Sequence, residues 1–215
     1  LSESRKLGRL GLLERENITL LNAALLGLAR RTVAAFEAAL ANSGITAPLY
    51  LTQNDGTIVG ASEAALQPVF SFASGPTNSM RGAAMLSGLE NAIVVDVGGT
   101  TTDIGCLRNG FPREANNVIE IGGVRTNFRM PDVRSIGIGG GSLIQADPLA
   151  VGPVSTGYEI SSRALVFGGS EITATDCAVA MGQVDIGDID RTAGMPTGLA
   201  KAASTLISET ISETV

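Results

Sequence analysis

Apolar positions along the chain follow a helical rhythm at both ends and a strand-like rhythm in the middle. From Asn17 to about Asn42, Leu21, Leu25, Leu28, Ala35 and Ala39 recur at helical spacing while Arg30, Arg31 and Glu37 take other faces, which predicts one long amphipathic helix over residues 17–42. Asn17 is placed to cap its start and Asn42-Ser43-Gly44 to stop it. Residues 48–52 and 57–59 then flank Asn54-Asp55-Gly56, whose Asp-Gly step favours a tight reversal between short strands. Ser74-Gly75-Pro76 puts a possible cap and a proline at the start of a second helix, carried on by small and apolar residues from Asn78 to Leu89.

Ile93-Val94-Val95 reads as a buried strand, and residues 102–107 are again strand-like, ending in Arg108-Asn109-Gly110. Asn-Gly between apolar stretches is the strongest short-range hairpin signal, so residues 92–114 form a strand-turn-strand unit. Residues 118–121 and 133–136 are strand-like, separated by Gly122-Gly123 and by Pro131, which argues for a break or an edge. A second glycine-rich turn, Gly137-Ile138-Gly139-Gly140-Gly141-Ser142, follows at a strand end. Residues 149–169 predict an irregular excursion, residues 173–181 a helix, and Leu199, Ala202, Ala203, Leu206, Ile207 and Ile211 a terminal amphipathic helix over 197–213. No fixed-period repeat or low-complexity segment is present, and the expectation is one α/β domain over residues 1–215.

The chemistry concentrates in Asp96-Val97-Gly98-Gly99-Thr100-Thr101-Thr102-Asp103. Its two glycines let the backbone approach a ligand where a side chain would collide. Amides of Gly98, Gly99 and Thr100, hydroxyls of Thr100, Thr101 and Thr102, and the carboxylates of Asp96 and Asp103 together suit a phosphate chain carrying a magnesium ion. Asp96 and Asp103 are the candidate catalytic and metal-binding pair, each able to orient a magnesium-bound water. The plain alternative is that both merely accept hydrogen bonds from turn amides. A strand follows the turn, not a helix, which excludes a Walker-type site.

At this point the residues resemble the phosphate motif shared by actin, hexokinase, sugar kinases and heat-shock chaperone ATPases. Taken in order, Ser74-Gly75-Pro76, Asp96 to Asp103, Gly137 to Ser142 and Thr175-Asp176 look like successive landmarks of the hydantoinase A/oxoprolinase family, over about residues 17 to 182. The resemblance implies an α/β fold in the manner of a ribonuclease H-like half of an actin-type ATPase: a twisted mixed sheet with antiparallel hairpins, and helices on both faces. It implies an ATP-hydrolysing, magnesium-dependent cyclic amidase that opens a hydantoin or 5-oxoproline-like ring. Such families place the nucleotide between two halves, and this chain shows one copy of the Asp-x-Gly-Gly-Thr pattern, so the implied partners are the N-terminal half of the same polypeptide and a companion B subunit. Rival readings are a nucleotide-responsive module without enzymic activity and a small-molecule kinase, which fold alone does not separate.

Gly139, Gly140, Gly141 and Ser142 are candidates for backbone approach to nucleotide or substrate, or else a packed strand-to-helix turn. Asp176 matches the Thr-Asp landmark, yet a short polar residue in a helix's first turn is favoured anyway by capping and by the dipole. Arg125, Arg129 and Arg134 are the one local basic cluster, and paired or solvated arginines are the commoner outcome.

Composition narrows the rest. A chain of 215 residues buries roughly 70% of its unfolded surface. Lys plus Arg total 15 against 21 Asp plus Glu, and a net charge of −6 offers a polyanion no basic stripe, so nucleic acid is an unexpected partner. The apolar stretch from Leu20 to Ala29 meets Arg30-Arg31 well short of the roughly 20 residues a bilayer requires, so no membrane span is expected. Histidine is absent, which removes imidazole bases and His-ligated zinc. Cys106 and Cys177 read as small apolar residues in a reducing, cytoplasmic setting. A start at Leu1 and a terminal helix without a cap lead to the expectation of an excised piece of a longer polypeptide.

Overall fold

In the computed structural model, residues 4–115 and 119–215 are described. Their contacts gather them into two compact units, one of residues up to Ala92 with Gly105–Val133, the other of Ile93–Ile104 with Arg134–Val215.

The first unit opens with α1 (Ser4–Leu7), α2 (Leu13–Asn42), the strands β1 (Tyr50–Thr52) and β2 (Ile58–Gly60), α3 (Ala61–Ala64) and α4 (Ser74–Ser87). The long helix begins four residues before the expected Asn17. Glu14 and Glu16 in its first turn suit the positive end of the helix dipole, and the Asn17 side chain donates to the Arg125 carbonyl at 2.9 Å in place of capping. Its stop is as expected: Gly44 takes φ 70°, and Ile45 N–H donates to the Leu40 carbonyl at 2.9 Å, the reversed-turn closure that ends many helices.

The buried stripe of α2 is Ile18, Asn22 and Val33. Leu21 and Leu25 pack beside it, whereas Ala35 and Ala39 are exposed. Ile18 joins Leu7, Val69 and Phe128 in the core, with the Phe70 and Phe72 rings 6.3 and 6.5 Å from that of Phe128. Burying a phenylalanine this fully contributes about 2–3 kcal/mol. Burial of Asn22 is compensated by hydrogen bonds of its amide, which donates to the Leu66 carbonyl at 3.2 Å and accepts from Val69 N–H at 3.3 Å. By length and composition α2 is long and apolar enough to cross a membrane, with an 18-residue stretch of mean hydropathy 1.2, so Arg30-Arg31 does not interrupt it as the sequence expectation supposed. The satisfied, buried Asn22 ties its first half into its own unit.

The β1–β2 hairpin forms around Asn54-Asp55-Gly56, with Gly56 at φ 85° and Thr57 N–H donating to Asp55 at 2.9 Å. α4 starts at the expected place, but Ser74 does not cap it. Ala73 occupies the cap position in the left-handed region at φ 56°, with no side-chain bond. After α4 come β3 (Ala92–Val97), β4 (Thr102–Arg108), β5 (Phe111–Pro112), β6 (Ile119–Ile121), β7 (Val124–Thr126) and β8 (Val133–Ile136). β4 pairs with β3, β5 and β8. Asn109 and Gly110 join β4 to β5 at φ 52° and 74°, the mirror-image turn that the Asn-Gly step favours. Val118, the first residue of an expected strand, lies outside the described residues; that strand continues as β6, paired with a β7 that the glycines at 122 and 123 had concealed.

The second unit adds β9 (Ser142–Ala146), β10 (Leu149–Ser155), α5 (Ile160–Arg163), α6 (Ala174–Ala180) and α7 (Leu199–Thr214). The irregular excursion expected over 149–169 is therefore a strand at its start. β10 pairs antiparallel with β9 and shifts register between Val151 and Ser155. A two-stranded ribbon leaves one edge of each strand free, which tolerates Pro153 where a central strand would not. The described strands make three two-stranded ribbons and one four-stranded sheet, in a mixed α/β architecture.

Candidate functional site

All of the residues from Asp96 to Asp103 fall in the second unit, with residues 98–101 at the tip of the hairpin between β3 and β4 and Asp96, Thr102 and Asp103 on its strands. Gly98 N–H closes the tip by donating to the Thr101 carbonyl at 2.9 Å. Residues 98–101 are exposed, and among the described residues the amides of Gly99, Thr100 and Thr101 make no hydrogen bond.

The orientation of two of those amides is dictated by the second glycine-rich turn. Gly140 N–H donates to the Gly98 carbonyl at 3.0 Å, and Gly141 N–H to the Gly99 carbonyl at 2.7 Å. A trans peptide is planar with its C=O and N–H antiparallel. Drawing the Gly98 and Gly99 carbonyls toward residues 140 and 141 therefore turns the N–H groups of Gly99 and Thr100 the opposite way. The closeness needs glycine: a Cβ on Gly139 would stand 2.6 Å from both the Gly98 oxygen and the Thr100 nitrogen, and one on Gly141 would stand 3.0 Å from the Gly99 oxygen. At Gly99 the opposite holds. A Cβ there meets nothing within 4 Å, so open space faces the turn.

Side chains lock this seating in place. Thr102, expected to offer its hydroxyl to phosphate, is fully buried and donates it to the Ile138 carbonyl at 2.7 Å. Ser142 is likewise buried and accepts from Gly139 N–H at 2.9 Å. Thr175, in the first turn of α6, brings its N–H and its hydroxyl to the Gly140 carbonyl, each at 2.9 Å. Thr156 N–H donates to the Gly141 carbonyl at 2.9 Å. Sequence reasoning passed over Thr156, and named Thr175 and Ile138 only as parts of motifs, because their hydrogen bonds here exist only through partners distant in the chain. Gly139, Gly140, Gly141 and Ser142 thus support the clamp turn with their own polar groups.

Counting outward from the closed Gly98–Thr101 pair sets Asp96 opposite Asp103, on the face alternate to Val97 and Thr102. Both aspartates are half-buried. Asp103 accepts a hydrogen bond from the Ser135 hydroxyl on β8, while the Asp96 carboxylate makes no hydrogen bond or ion pair among the described residues. Like charges directly opposed on a sheet face are destabilising. Two carboxylates with hydroxyls nearby and no cationic side chain paired to them are a donor set that fits a hard divalent ion retaining most of its water. The described residues hold no group of three or more carboxylates or thiols that would make a dedicated metal cage. Behind the tip, Val97, Thr102, Ile138, Gly139, Gly140 and Thr175 border a cleft of about 420 Å³.

The remaining candidates are structural. Asp176 is fully buried and accepts from Val166 N–H at 2.8 Å and from the Thr173 N–H and hydroxyl at 2.7 Å each, completing a capping box at the start of α6. Arg129 pairs with Glu114 at 3.6 Å, Arg125 lies 4.0 Å from Glu14, and Arg134 donates to the Thr214 carbonyl at 3.4 Å, so the basic run does not converge on one ligand. Cys177 is buried, and loss of solvation, with the neighbouring Asp176, pushes its thiol up to about 11. Cys106 is a half-buried free thiol on β4.

Comparison with known proteins places this arrangement. The chain is 28% identical over 177 residues to the caprolactamase subunit alpha of Pseudomonas jessenii, covering 78% of this chain and 25% of that protein. It is 31% identical over 121 residues to the acetophenone carboxylase gamma subunit of Aromatoleum aromaticum, covering 53% and 16%. Among solved structures, nucleotide-free acetone carboxylase superposes with a TM-score of 0.70 at 22% identity, over 95% of this chain and 32% of that one. The ATP-dependent caprolactamase of Pseudomonas jessenii superposes with a TM-score of 0.62 at 26% identity, over 86% and 28%. The chain thus spans a quarter or less of the length of these curated relatives. The hydantoinase/oxoprolinase profile matches residues 15–214, nearly the whole sequence, and the chain belongs to the hydantoinase/oxoprolinase family.

Proposed function

We propose that this chain is the phosphate-gripping part of an ATP- and magnesium-dependent enzyme that opens a cyclic amide of the hydantoin, 5-oxoproline or lactam kind. The observation that carries the reading is the orientation of the hairpin tip. Two carbonyls are held back by Gly140 and Gly141, so the amides of Gly99 and Thr100 are preset away from them, with Thr101 beside them and open space at Gly99. Preorganised amide donors bind an oxyanion without reorganisation cost, and removing one such donor typically lowers turnover about a hundredfold or more. The family membership and the likeness to a caprolactamase, which by its name acts on a lactam, support a ring amide as substrate.

ATP transfers its terminal phosphoryl group to the amide oxygen, releasing ADP and making the ring carbon open to attack. Water adds to that carbon, the ring C–N bond breaks with the nitrogen leaving as the amine, and hydrolysis of the acyl phosphate so formed releases phosphate and the ring-opened acid. In this reading the amides of Gly99, Thr100 and Thr101 bind the phosphate oxygens, and the Thr100 and Thr101 hydroxyls add bonds at the rim. Asp96 and Asp103 hold the hydrated magnesium ion, while Gly139, Gly140, Gly141, Ser142 and Thr102 keep the tip rigid. The architecture we propose is the ribonuclease H-like half of an actin-type ATPase, working in the cytoplasm with further segments of a longer polypeptide and a companion subunit.

The natural protein carrying this sequence is expected to hydrolyse ATP faster with hydantoin, 5-oxoproline or caprolactam present and to release the ring-opened acid. Asp96→Asn removes that stimulation; full stimulation in the mutant refutes the assigned role. The resemblance to acetophenone and acetone carboxylases favours one second reading, ATP-driven activation of a ketone oxygen for carboxylation. Bicarbonate incorporation into a ketone, with no ring-opened product from any of the amides, selects it.

A further inference from the structure

The opposed pair of aspartates is asymmetric. Asp103 accepts from the Ser135 hydroxyl through one carboxylate oxygen, and the Asp96 carboxylate accepts from nothing among the described residues. Ser135 is exposed, so the bond adds little to core packing and its consequence lies in where it leaves Asp103. A hydroxyl donating to one oxygen occupies one of that oxygen's lone pairs and restrains the rotamer, while the second oxygen keeps its full acceptor capacity. The backbone reinforces this. β8 runs beside β4 and leads directly into the Gly137–Ser142 turn that seats the clamp, so the hydroxyl is carried on the strand that also positions the phosphate grip.

We propose that Ser135 is a positioning residue for the metal-nucleotide site: it restrains the Asp103 carboxylate in the orientation that meets the hydrated divalent ion, and the Asp96 carboxylate, without such a restraint, adjusts to the ion from the opposite strand. The proposal rests on the ATP and magnesium reading given above. Groups that orient a metal-holding carboxylate typically change metal affinity by about 10- to 100-fold, and for an exposed hydroxyl the low end applies.

The test uses the natural full-length protein and its Ser135→Ala, Ser135→Thr and Ser135→Cys variants. Binding of Mn2+ in the presence of ATP is followed by the electron paramagnetic resonance signal of free Mn2+, and half-saturating Mg2+ is read from ATP hydrolysis. Ser135→Ala is expected to weaken Mn2+ binding and raise half-saturating Mg2+ about tenfold, with an unchanged thermal midpoint and with Ser135→Thr restoring both values. Ser135→Cys keeps the size, weakens the donor and falls between, which preserves the reading should alanine loosen β8. In an Asp103→Asn background, Ser135→Ala adds no further loss, because the bond it removes no longer orients an ion-holding group. A parent that binds Mn2+ with ATP and an alanine variant that binds it equally well overturns the role of Ser135 while leaving the nucleotide reading intact. A parent that binds no Mn2+ with ATP overturns both.

Discussion

Substituting Gly139 and Gly99 separately by alanine distinguishes a glycine required by the protein's own packing from one whose space faces outward. At Gly139 the new Cβ would lie 2.6 Å from the Gly98 oxygen and the Thr100 nitrogen and 2.7 Å from the Gly99 carbonyl carbon, all of them backbone atoms. Ordinary contact begins near 3.4 Å, so the clamp tip must retreat by about 0.8 Å. That movement stretches the 3.0 and 2.7 Å bonds from Gly140 and Gly141 which aim the tip. Overpacking costs about 1–3 kcal/mol and two weakened hydrogen bonds about 1 kcal/mol each, so a loss on the order of 3 kcal/mol is expected. Urea unfolding reads this as a lower midpoint at unchanged slope. A misplacement near 1 Å at a reacting centre lowers turnover by about a hundredfold, so ATP hydrolysis falls further than folding alone explains. Gly99→Ala meets nothing within 4 Å in the protein and should leave the urea midpoint in place while weakening nucleotide binding, because the methyl group enters the space assigned to phosphate. A Gly139→Ala protein with parental midpoint and nucleotide affinity would sink the seating argument, and a Gly99→Ala protein with parental affinity would remove the ligand from the tip.

Asp176→Ala leaves three buried donors, on Val166 and Thr173, without their acceptor, and should cost about 3 kcal/mol or more, seen as loss of soluble folded protein and not as a selective fall in kcat. The Cys177 thiol, raised from 9.0 to about 11 in the folded chain, favours the native state fully below pH 9, and that contribution is lost as pH rises through 11. Replacing Cys177 by Ala should therefore flatten the alkaline limb of a stability-versus-pH curve, and an unchanged limb would count against the assignment. Iodoacetamide at neutral pH should label the half-buried Cys106 well before Cys177, as peptide mapping will show. Gly110→Ala, at φ 74°, should lower stability by about 1 kcal/mol through backbone strain alone, measurable by thermal unfolding.

Short-range signals in the sequence were legible where one residue type has one structural use. Asn109-Gly110 and Asp55-Gly56 mark hairpins because positive φ is cheap for few residues, and Gly44 marks the end of α2 for the same reason. The Asp96–Asp103 motif was legible as a turn with amide donors. That its carbonyls are grasped by Gly140 and Gly141 was not, since a contact between residues some forty positions apart leaves no local periodicity. β10 was hidden by Pro153 and Gly152, residues that usually end strands but are tolerated on a ribbon edge. The start of α2 slipped past Asn17 because the acidic first turn outweighed the available cap. For the site itself, Thr102 was read as a ligand-facing hydroxyl, and its burial against Ile138 followed from strand alternation once the register of the tip was known.

The division of labour at the tip bears on how such a protein can diverge. The grip is made from main-chain atoms, and its rigidity depends on glycines whose missing side chains admit a neighbouring backbone. On the function proposed above, most side chains around the tip can be exchanged, and with them the chemistry performed on the acceptor, without rebuilding the hold on the donor. A deep mutational scan read for folded protein should accordingly show a narrow band of near-zero tolerance at Gly139 and Gly141, whereas Gly99 at the exposed tip tolerates change in folding and not in nucleotide binding.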